Sequence, residues 1–510
     1  MAIVEQLEPT ADGRRRLELR SPATRERVGE IEVSTADDVA AALAKARAAQ
    51  PGWAARPVKE RAAIIRNAVS VLLKRRDEIV ETVMQETGKP RVEALAVEMV
   101  PACDFLNYWS GRATKDLADE NRRLHGYMLP LKKLVINYQP LGVVGVITPW
   151  NGPFILSLNP IAQALLAGNS VVLKPSEVTP HSGEWAVKVL HEAGVPKDVL
   201  QVVHGDGETG AALVNGDIDK ISFTGSVGTG KKIAAACATR LIPCTLELGG
   251  KDAMIVCADA DLDRASLGAV YLSMFNTGQV CVGVERIYVV DSIADEFIEQ
   301  VRKRAAEVTY GRGKDVGPLF WDRQLEIVEK HVEDARSKGA TILLGGESDT
   351  AEGVFFKPTV VVDVTHDMEI MQQETFGPIV AIMRVRDEEE AVRMANDCQY
   401  GLSGSVFTKD KDKVVRLAKQ LKTGSVVQND ASVIYGVAEA PFGGRKDSGM
   451  GQVNGRDALR SFVHPQPVLL DRWGLKKENI WYPYSEATAA TLEKTIGTLF
   501  GNKFIRRLVR

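Results

Sequence analysis

The sequence predicts an α/β protein built on parallel sheets. Short apolar runs of strand length alternate with helix-length runs from 143 to about 427, a pattern that implies right-handed crossovers between parallel strands. At 510 residues the chain is long for one domain and suits two large ones with additions. Apolar residues at 45 % and charged residues at 26 % are ordinary for a globular protein.

The helical pattern from 36 to about 119 opens on Ser34-Thr-Ala-Asp-Asp38, which supplies a cap and an acidic first turn. Residues 124–138 read as two extended arms able to pair with another strand. Strand-like runs follow at 143–147, 170–174, 199–204 and 220–223. The helices between and after them read as running to 166, then over 181–193, 209–214 and 227–236. Such a sheet binds ligands at the carboxyl ends of its strands. A second α/β series runs from 253–257 through 285–290, a helix at 293–308 and 379–383. The last 40 residues differ, with Trp473, Trp481, Tyr482 and Tyr484 leading into an amphipathic run over 486–508 with a basic end.

Composition narrows the function classes. With 64 Lys and Arg against 67 Asp and Glu, the net charge of −3 argues against nucleic acid as the main partner. The six cysteines, at 103, 237, 244, 257, 281 and 398, form neither a CxxC pair nor a zinc-ligand spacing, so no metal is expected. Their sparse use suits a reducing compartment. With no charged-then-apolar leader and no apolar run near 18 residues, the expected location is cytoplasmic.

Two stretches carry chemistry. Cys244-Thr-Leu-Glu-Leu-Gly-Gly250 is a short strand ending in a carboxylate and two glycines. Phe275-Asn-Thr-Gly-Gln-Val-Cys281 puts a thiol on a turn behind a helix-like run over 262–275. A strand-end carboxylate and a turn thiol are the parts of covalent thiol catalysis, with the base deprotonating the thiol or a water. Taken alone, Glu247 reads equally as a salt-bridged strand end, and Cys281 as a buried small hydrophobe.

Three features could hold a nucleotide. Gly205-Asp-Gly-Glu-Thr-Gly210 is a literal GxGxxG between a strand and a helix, but Asp206 and Glu208 would face a pyrophosphate with like charge. Phe223-Thr-Gly-Ser-Val-Gly-Thr-Gly230 ends a strand and opens a helix with Ser226, whose hydroxyl and first-turn amides can donate to phosphate. Lys174-Pro-Ser-Glu177 pairs an ammonium with a carboxylate, a grip suited to ribose hydroxyls.

Together these pieces resemble the aldehyde dehydrogenase superfamily. Thr148-Pro-Trp-Asn151, Lys174-Pro-Ser-Glu177, Phe223-Thr-Gly-Ser226, Glu247-Leu-Gly-Gly-Lys251 and Gly278-Gln-Val-Cys281 fit its signatures in order. So do Glu374-Thr-Phe-Gly-Pro378 and Pro441-Phe-Gly-Gly444 with Ser448-Gly449, and the resemblance covers roughly residues 20–465.

The resemblance implies that Cys281 is the nucleophile, that Asn151 and the Cys281 amide donate to the oxyanion, and that Glu247 activates water against a thioester. It implies NAD as cofactor, with NADP admissible, since the Glu177 carboxylate repels a 2′-phosphate. Lys174 and Glu177 would hold the adenosine ribose. Trp150 and Ser226 would lie along the adenosine and pyrophosphate, Glu374 would bind the nicotinamide ribose, and Phe376 would pack beside it. Ile147, Thr148, Ser176, Gly225, Gly230 and Leu248 complete the implied cofactor set.

The implied architecture is a Rossmann-type cofactor domain (1–120 and 141–248), a catalytic domain (249–449) and a β-hairpin oligomerisation arm (121–140 with 450–470). A C-terminal extension (471–510) follows. A homodimer or homotetramer is the expected assembly. Some members use a Lys shortly after the catalytic Asn with a Glu shortly after the Ser-Gly motif as a proton relay. Here Asn159-Pro160 and Gln452-Val453 stand there, so Glu247 is expected to work through water alone. The extension would pack on a neighbouring surface, gate the substrate tunnel or touch a membrane; packing is the favoured expectation.

By position the tunnel would be lined by Phe154, Leu156, Phe275, Val280, Val282, Ile434, Tyr435 and Phe442, with Tyr108 or Trp109 nearby. None is Arg or Lys, and burying a distal carboxylate without a cation is costly. The expected substrate is therefore an uncharged apolar or aromatic aldehyde, with succinic semialdehyde as the alternative. A CoA-acylating relative is disfavoured by the presence of Glu247, and a non-catalytic relative by the presence of both thiol and base.

Overall fold

Thr35 starts the first long helix, Ala36–Ala54: its hydroxyl accepts from the Asp38 amide and the Asp38 carboxylate accepts from the Thr35 amide. The computed structural model describes residues 2–11, 13–478, 480–501 and 503. Before that helix stands a three-stranded antiparallel sheet, Val4–Leu7, Arg16–Arg20 and Arg27–Glu32. After it come Val58–Thr87, closed by a left-handed Gly88, and Val100–Asp116.

The first of the two large sheets has six strands. Their order is Gly449–Met450, Cys244–Glu247, Lys220–Thr224, Val143–Ile147, Ser170–Lys174 and Leu200–Val202. All neighbours are parallel except Gly449–Met450 against Cys244–Glu247. Val143–Ile147 and Ser170–Lys174 are buried along their whole length, which is why they read as unbroken apolar runs. The chain winds outward from Val143–Ile147 to Leu200–Val202, then returns to Lys220–Thr224 on the other side. The reversal opens a crevice at the carboxyl ends of these two central strands, beside Thr148 and Gly225.

The second sheet has seven strands: Thr341–Leu344, Thr359–Val362, Ile379–Val385, Val284–Val290, Asp252–Val256, Gly404–Phe407 and Val427–Gln428. Only Thr341–Leu344 is antiparallel to its neighbour. Apolar clusters cover both of its faces, so the α/β class predicted from the alternation is the observed one.

The third sheet differs in detail from the expected arms. Its strands are Glu120–Arg122, Lys132–Pro140 and Val463–Asp471. The segment at 124–131 is not extended; a single tight turn, Gly126–Met128, bends it at Gly126 with φ 69°. Lys132–Pro140 pairs over its full length with Val463–Asp471, from Val463 opposite Pro140 to Asp471 opposite Lys132. In the tail the amphipathic run forms a helix at Glu486–Ile496 and a wide turn at Gly497–Gly501; most of the run beyond 501 lies outside the described residues. Among the described residues no helix is long and apolar enough to cross a membrane.

Candidate active site

The nucleophile sits on a forced loop. Asn276, Thr277 and Gly278 all hold positive φ, at 54°, 59° and 72°. At Gly278 a Cβ would lie 2.0 Å from the Gly377 carbonyl oxygen, so only glycine fits. Glu93 anchors the loop by accepting from the Asn276 amide at 2.8 Å. Burial pushes the Glu93 pKa up to about 7. Gln279 locks the turn from inside, donating to the Asn276 carbonyl at 3.1 Å and accepting from the Phe320 amide at 2.9 Å. Backbone strain of this kind persists only where the surroundings hold it.

Asn151 leans across that loop. Its side-chain amide donates to the Gln279 carbonyl at 3.0 Å, which leaves its second N–H free. Its own carbonyl accepts from the Lys89 ammonium at 3.0 Å and from the Asn276 side-chain amide at 3.1 Å. Lys89 also pairs with Glu98 at 3.1 Å, both fully buried, and Glu98 accepts from the Ile155 amide at 2.9 Å. One buried ion pair therefore fixes both the Asn151 backbone and the first turn of the helix Pro153–Leu166.

Glu247 ends its strand inside the protein at 2 % exposure, and neither carboxylate oxygen has a hydrogen-bond partner of normal geometry among the described residues. Burial pushes its pKa up to about 7, with the Cys281 thiol opposing. The Cys281 thiol is in turn held well above the ordinary thiol range, by burial first and by the Glu247 charge second. A buried, unpaired carboxylate of this kind marks a functional group.

Two cavities meet at this point. One, of about 550 Å³, is lined by Trp150, Asn151, Gly225, Ser226, Glu247, Leu248, Cys281, Glu374 and Phe376. The other, of about 520 Å³, is mainly apolar and also touches Asn151 and Cys281. The thiol and the amide thus form the partition between a polar and an apolar chamber.

The polar chamber is held by charges at its floor. Glu374 accepts from the Gly250 amide at 2.8 Å. Its pKa is pushed up to about 8, chiefly by burial and next by Glu285. Glu285 pairs with buried Lys251 and accepts from the Thr375 and Phe376 amides at 2.7 and 3.0 Å, which holds Phe376 at φ 53°. The Trp150 and Phe376 rings meet edge to face, 5.5 Å apart. This chamber continues past Gly225 and Ser226 into a further cavity of about 460 Å³ lined by Ile147, Thr148, Lys174, Ser176 and Glu177.

A sequence profile described as "Aldehyde dehydrogenase family" matches residues 9–468. The chain belongs to this family. A Mycolicibacterium smegmatis protein, provisionally named succinate-semialdehyde dehydrogenase (NADP(+)), is 42 % identical to this aldehyde dehydrogenase over 448 residues, covering 87 % of this chain and 86 % of that one. A Methylomonas protein named 4,4′-diapolycopene aldehyde oxidase is 39 % identical over 483 residues, covering 94 % and 91 %. The crystal structure of a Mycobacterium tuberculosis aldehyde dehydrogenase complexed with NAD+ superposes with a TM-score of 0.86 at 38 % identity, covering 91 % of this chain and 96 % of that one. An NAD+ complex from Bacillus cereus gives 0.85 at 35 %, covering 92 % and 93 %.

In this aldehyde dehydrogenase the expected cofactor residues line the two polar cavities, apart from Gly230. Gly230 lies beneath Leu248, where a Cβ would stand 2.4 Å from the leucine side chain. Lys174 and Glu177 pair at 3.2 Å. The helix Val227–Arg240 opens at Ser226, whose side chain accepts from the Thr229 amide. The rival GxGxxG loop borders the same cavity through Asp206, Gly207 and Gly210. Asp206 is spent on capping its own helix and, with Glu208, on Arg15.

The substrate side requires corrections. Leu156, Phe275, Val280, Val282 and Tyr435 line the apolar chamber, but Phe154, Ile434 and Phe442 do not. Phe154 is fully buried in the first core cluster, because on a helix Ile155 and Leu156, not Phe154, share the Gly152 face. Ile434 sits in the tight turn Ser432–Gly436, where Ser432 and Tyr435 stack on the cavity side. Phe442 packs behind, against Val282 and Leu402, with its ring 5.3 Å from Tyr435. Tyr108 and Trp109 are also absent from the wall; Trp109 instead donates to Asn159 at 2.9 Å, and Asn159 is part of that buried network rather than a relay.

Sequence reasoning missed Lys89, Glu98, Glu93, Lys251, Glu285 and Lys232. Lys232 lines both polar cavities one turn into the Ser226 helix. A basic residue in the first turns of the helix that Ser226 opens was the available signal. The sequence led us to expect no metal; among the described residues one cluster, Cys257, Asp259 and Glu388, has ligand spacing. The Lys413 ammonium already pairs with Asp259 at 2.7 Å and with Glu388 at 2.9 Å.

Proposed function

We propose that this chain oxidises an uncharged, apolar aldehyde to its carboxylic acid with NAD(P), through a thioester on Cys281. The observation that carries the proposal is the meeting of the apolar and polar chambers at Cys281 and Asn151, with Glu247 behind the thiol. The polar chambers suit a dinucleotide. A helix amino terminus at Ser226 and the Lys232 cation suit a pyrophosphate, and the Lys174–Glu177 pair suits a ribose. Bound NAD(P) supplies an acceptor for the hydride that the reacting carbon loses.

Cys281 Sγ attacks the aldehyde carbon from the partition, and its proton is released to solvent water. The free N–H of Asn151 and the Cys281 amide stabilise the oxygen as it gains charge. Loss of hydride from the carbon leaves a thioester. Glu247, as the carboxylate, then takes a proton from water, whose oxygen adds to the thioester carbon; the C–S bond breaks, the proton held by Glu247 returns to the Cys281 sulfur, and the acid leaves. Asn151→Ala is expected to lower kcat by about 10²–10³-fold with little change in KM, because the lost bond strengthens only in the transition state. Steady-state kinetics on purified protein measures this.

The apolar chamber contains no Lys, Arg or His among its described lining residues, and two of its polar residues, Asp104 and Asp430, are acids. A distal carboxylate entering it would be unpaired and repelled. Apolar aldehydes are therefore expected to exceed succinic semialdehyde in kcat/KM by at least tenfold, the effect of about 1.4 kcal/mol. A preference for succinic semialdehyde would overturn the substrate reading and leave the mechanism standing. The 42 % identity to the Mycolicibacterium smegmatis protein keeps succinic semialdehyde as the second reading.

NAD is the favoured cofactor, since Glu177 reaches the cavity with its partner Lys174. Removing that carboxylate lifts a like-charge repulsion of about 1 kcal/mol or more from a 2′-phosphate. Glu177→Ala is therefore expected to raise kcat/KM for NADP relative to NAD by roughly fivefold or more. Comparison of the two cofactors at one aldehyde concentration checks it.

A further inference from the structure

The tail beyond the third sheet stands apart from the body it belongs to. Nine of the 22 large apolar side chains exposed among the described residues fall within 473–500. In the first part of the tail Leu475, Ile480, Trp481 and Tyr484 are 54 %, 57 %, 55 % and 68 % exposed. In the second, no residue of the helix Glu486–Ile496 is buried. Leu492 and Ile496 lie one turn apart on it, and Phe500 follows in the wide turn Gly497–Gly501; all three are exposed. The root is firmly held: Trp473 donates to the Pro130 carbonyl at 2.6 Å, and Arg472 to the Lys132 carbonyl at 2.9 Å. The first part of the tail, to Glu478, is therefore tied to the hairpin sheet.

Its charge is opposite to that of the rest of the chain. Residues 471–510 carry eight Lys or Arg against four Asp or Glu, a net +4, while the whole chain is −3 and the remainder therefore −7. Two of the four acids, Asp471 and Glu478, are taken by Lys132. Lys476, Lys477 and Lys494 have no ion-pair partner among the described residues.

We infer that this tail is an interfacial anchor that lays its aromatic loop and its helix on an anionic lipid surface. Trp and Tyr suit the boundary between headgroups and acyl chains. The exposed Leu, Ile and Phe insert shallowly, and unpaired lysines bind anionic headgroups without the fixed geometry that a protein partner demands. The segment lies on the membrane rather than crossing it. The inference is independent of which aldehyde is oxidised.

The test is sedimentation of the full chain with phosphatidylcholine vesicles, with and without phosphatidylglycerol, alongside its oligomeric state by light scattering. Wild type is expected to sediment with the phosphatidylglycerol vesicles and to bind phosphatidylcholine alone much more weakly. Lys476→Glu with Lys477→Glu is expected to weaken the anionic binding by roughly tenfold or more. Leu492→Glu with Ile496→Glu is expected to abolish it, and both variants keep full activity on a soluble aldehyde. Absence of sedimentation overturns the inference, as does binding that survives both variants or ignores phosphatidylglycerol. Failure to sediment together with a smaller assembly in Leu492→Glu/Ile496→Glu overturns it in favour of a second copy of the chain as the cover.

Discussion

Cys281→Ala is expected to lower aldehyde oxidation by at least about 10⁴-fold, since removing a covalent nucleophile removes the whole pathway and not one contact. Binding of NAD, followed by fluorescence quenching, is expected to persist. The polar chamber takes its walls from Trp150, Ser226, Leu248, Glu374 and Phe376, none of which leans on the thiol for its position. Cys281→Ser is expected to behave almost as badly. An alkanol is far less acidic than a thiol, so far less of it is present as the nucleophilic anion, and its oxygen is the poorer nucleophile. Turnover retained in Cys281→Ala would mean that the two chambers meet at the wrong residue.

Glu247→Gln is expected to form NADH in one rapid turnover and then stall, with steady-state kcat lower by about 10²–10⁴-fold. The amide keeps the shape of the side chain but cannot accept the proton of the hydrolytic water. The pH profile carries a second sign of the same group. Since the carboxylate is the active form and burial pushes its pKa up to about 7, hydrolysis in the wild type should rise with pH through about 7 and then level. That limb should vanish in Glu247→Gln.

Stability should move the other way. A carboxyl whose folded pKa exceeds its ordinary 4.5 retains a proton that the unfolded chain has lost, so its contribution to stability falls as pH rises from 4.5 through about 7. Glu247→Gln should therefore raise Tm at pH 8 and change it little at pH 4.

The elements around the site were legible because buried parallel strands are apolar along their whole length, as in Val143–Ile147, and because Thr35 and Ser226 cap helices locally. Cys281, Glu247 and Asn151 were legible as motifs ending strands and turns. The supports beneath them were not. Lys89 reaches Glu98 and the Asn151 carbonyl, and Lys251 reaches Glu285, only after the chain has folded. In the sequence each looks like an ordinary surface charge. Phe154 was placed in the tunnel by its position after the Thr148–Asn151 motif, but on the helix Pro153–Leu166 it turns into the core while Leu156 faces the chamber. In the strained turn at 276–278 Asn276 tolerates a left-handed φ, but the β-branched Thr277 carries no such signal; tertiary contacts with Glu93 and Gly377 hold the turn.

The most direct measurement is the intact mass of Glu247→Gln after one turnover with NAD and an apolar aldehyde, compared with the same treatment of Cys281→Ala/Glu247→Gln. The account predicts a covalent adduct of acyl mass, mapped by peptide analysis to Cys281, that forms with the NADH burst and is absent from the double variant. A burst of NADH with no adduct on Cys281, or an adduct that persists when Cys281 is gone, would contradict it.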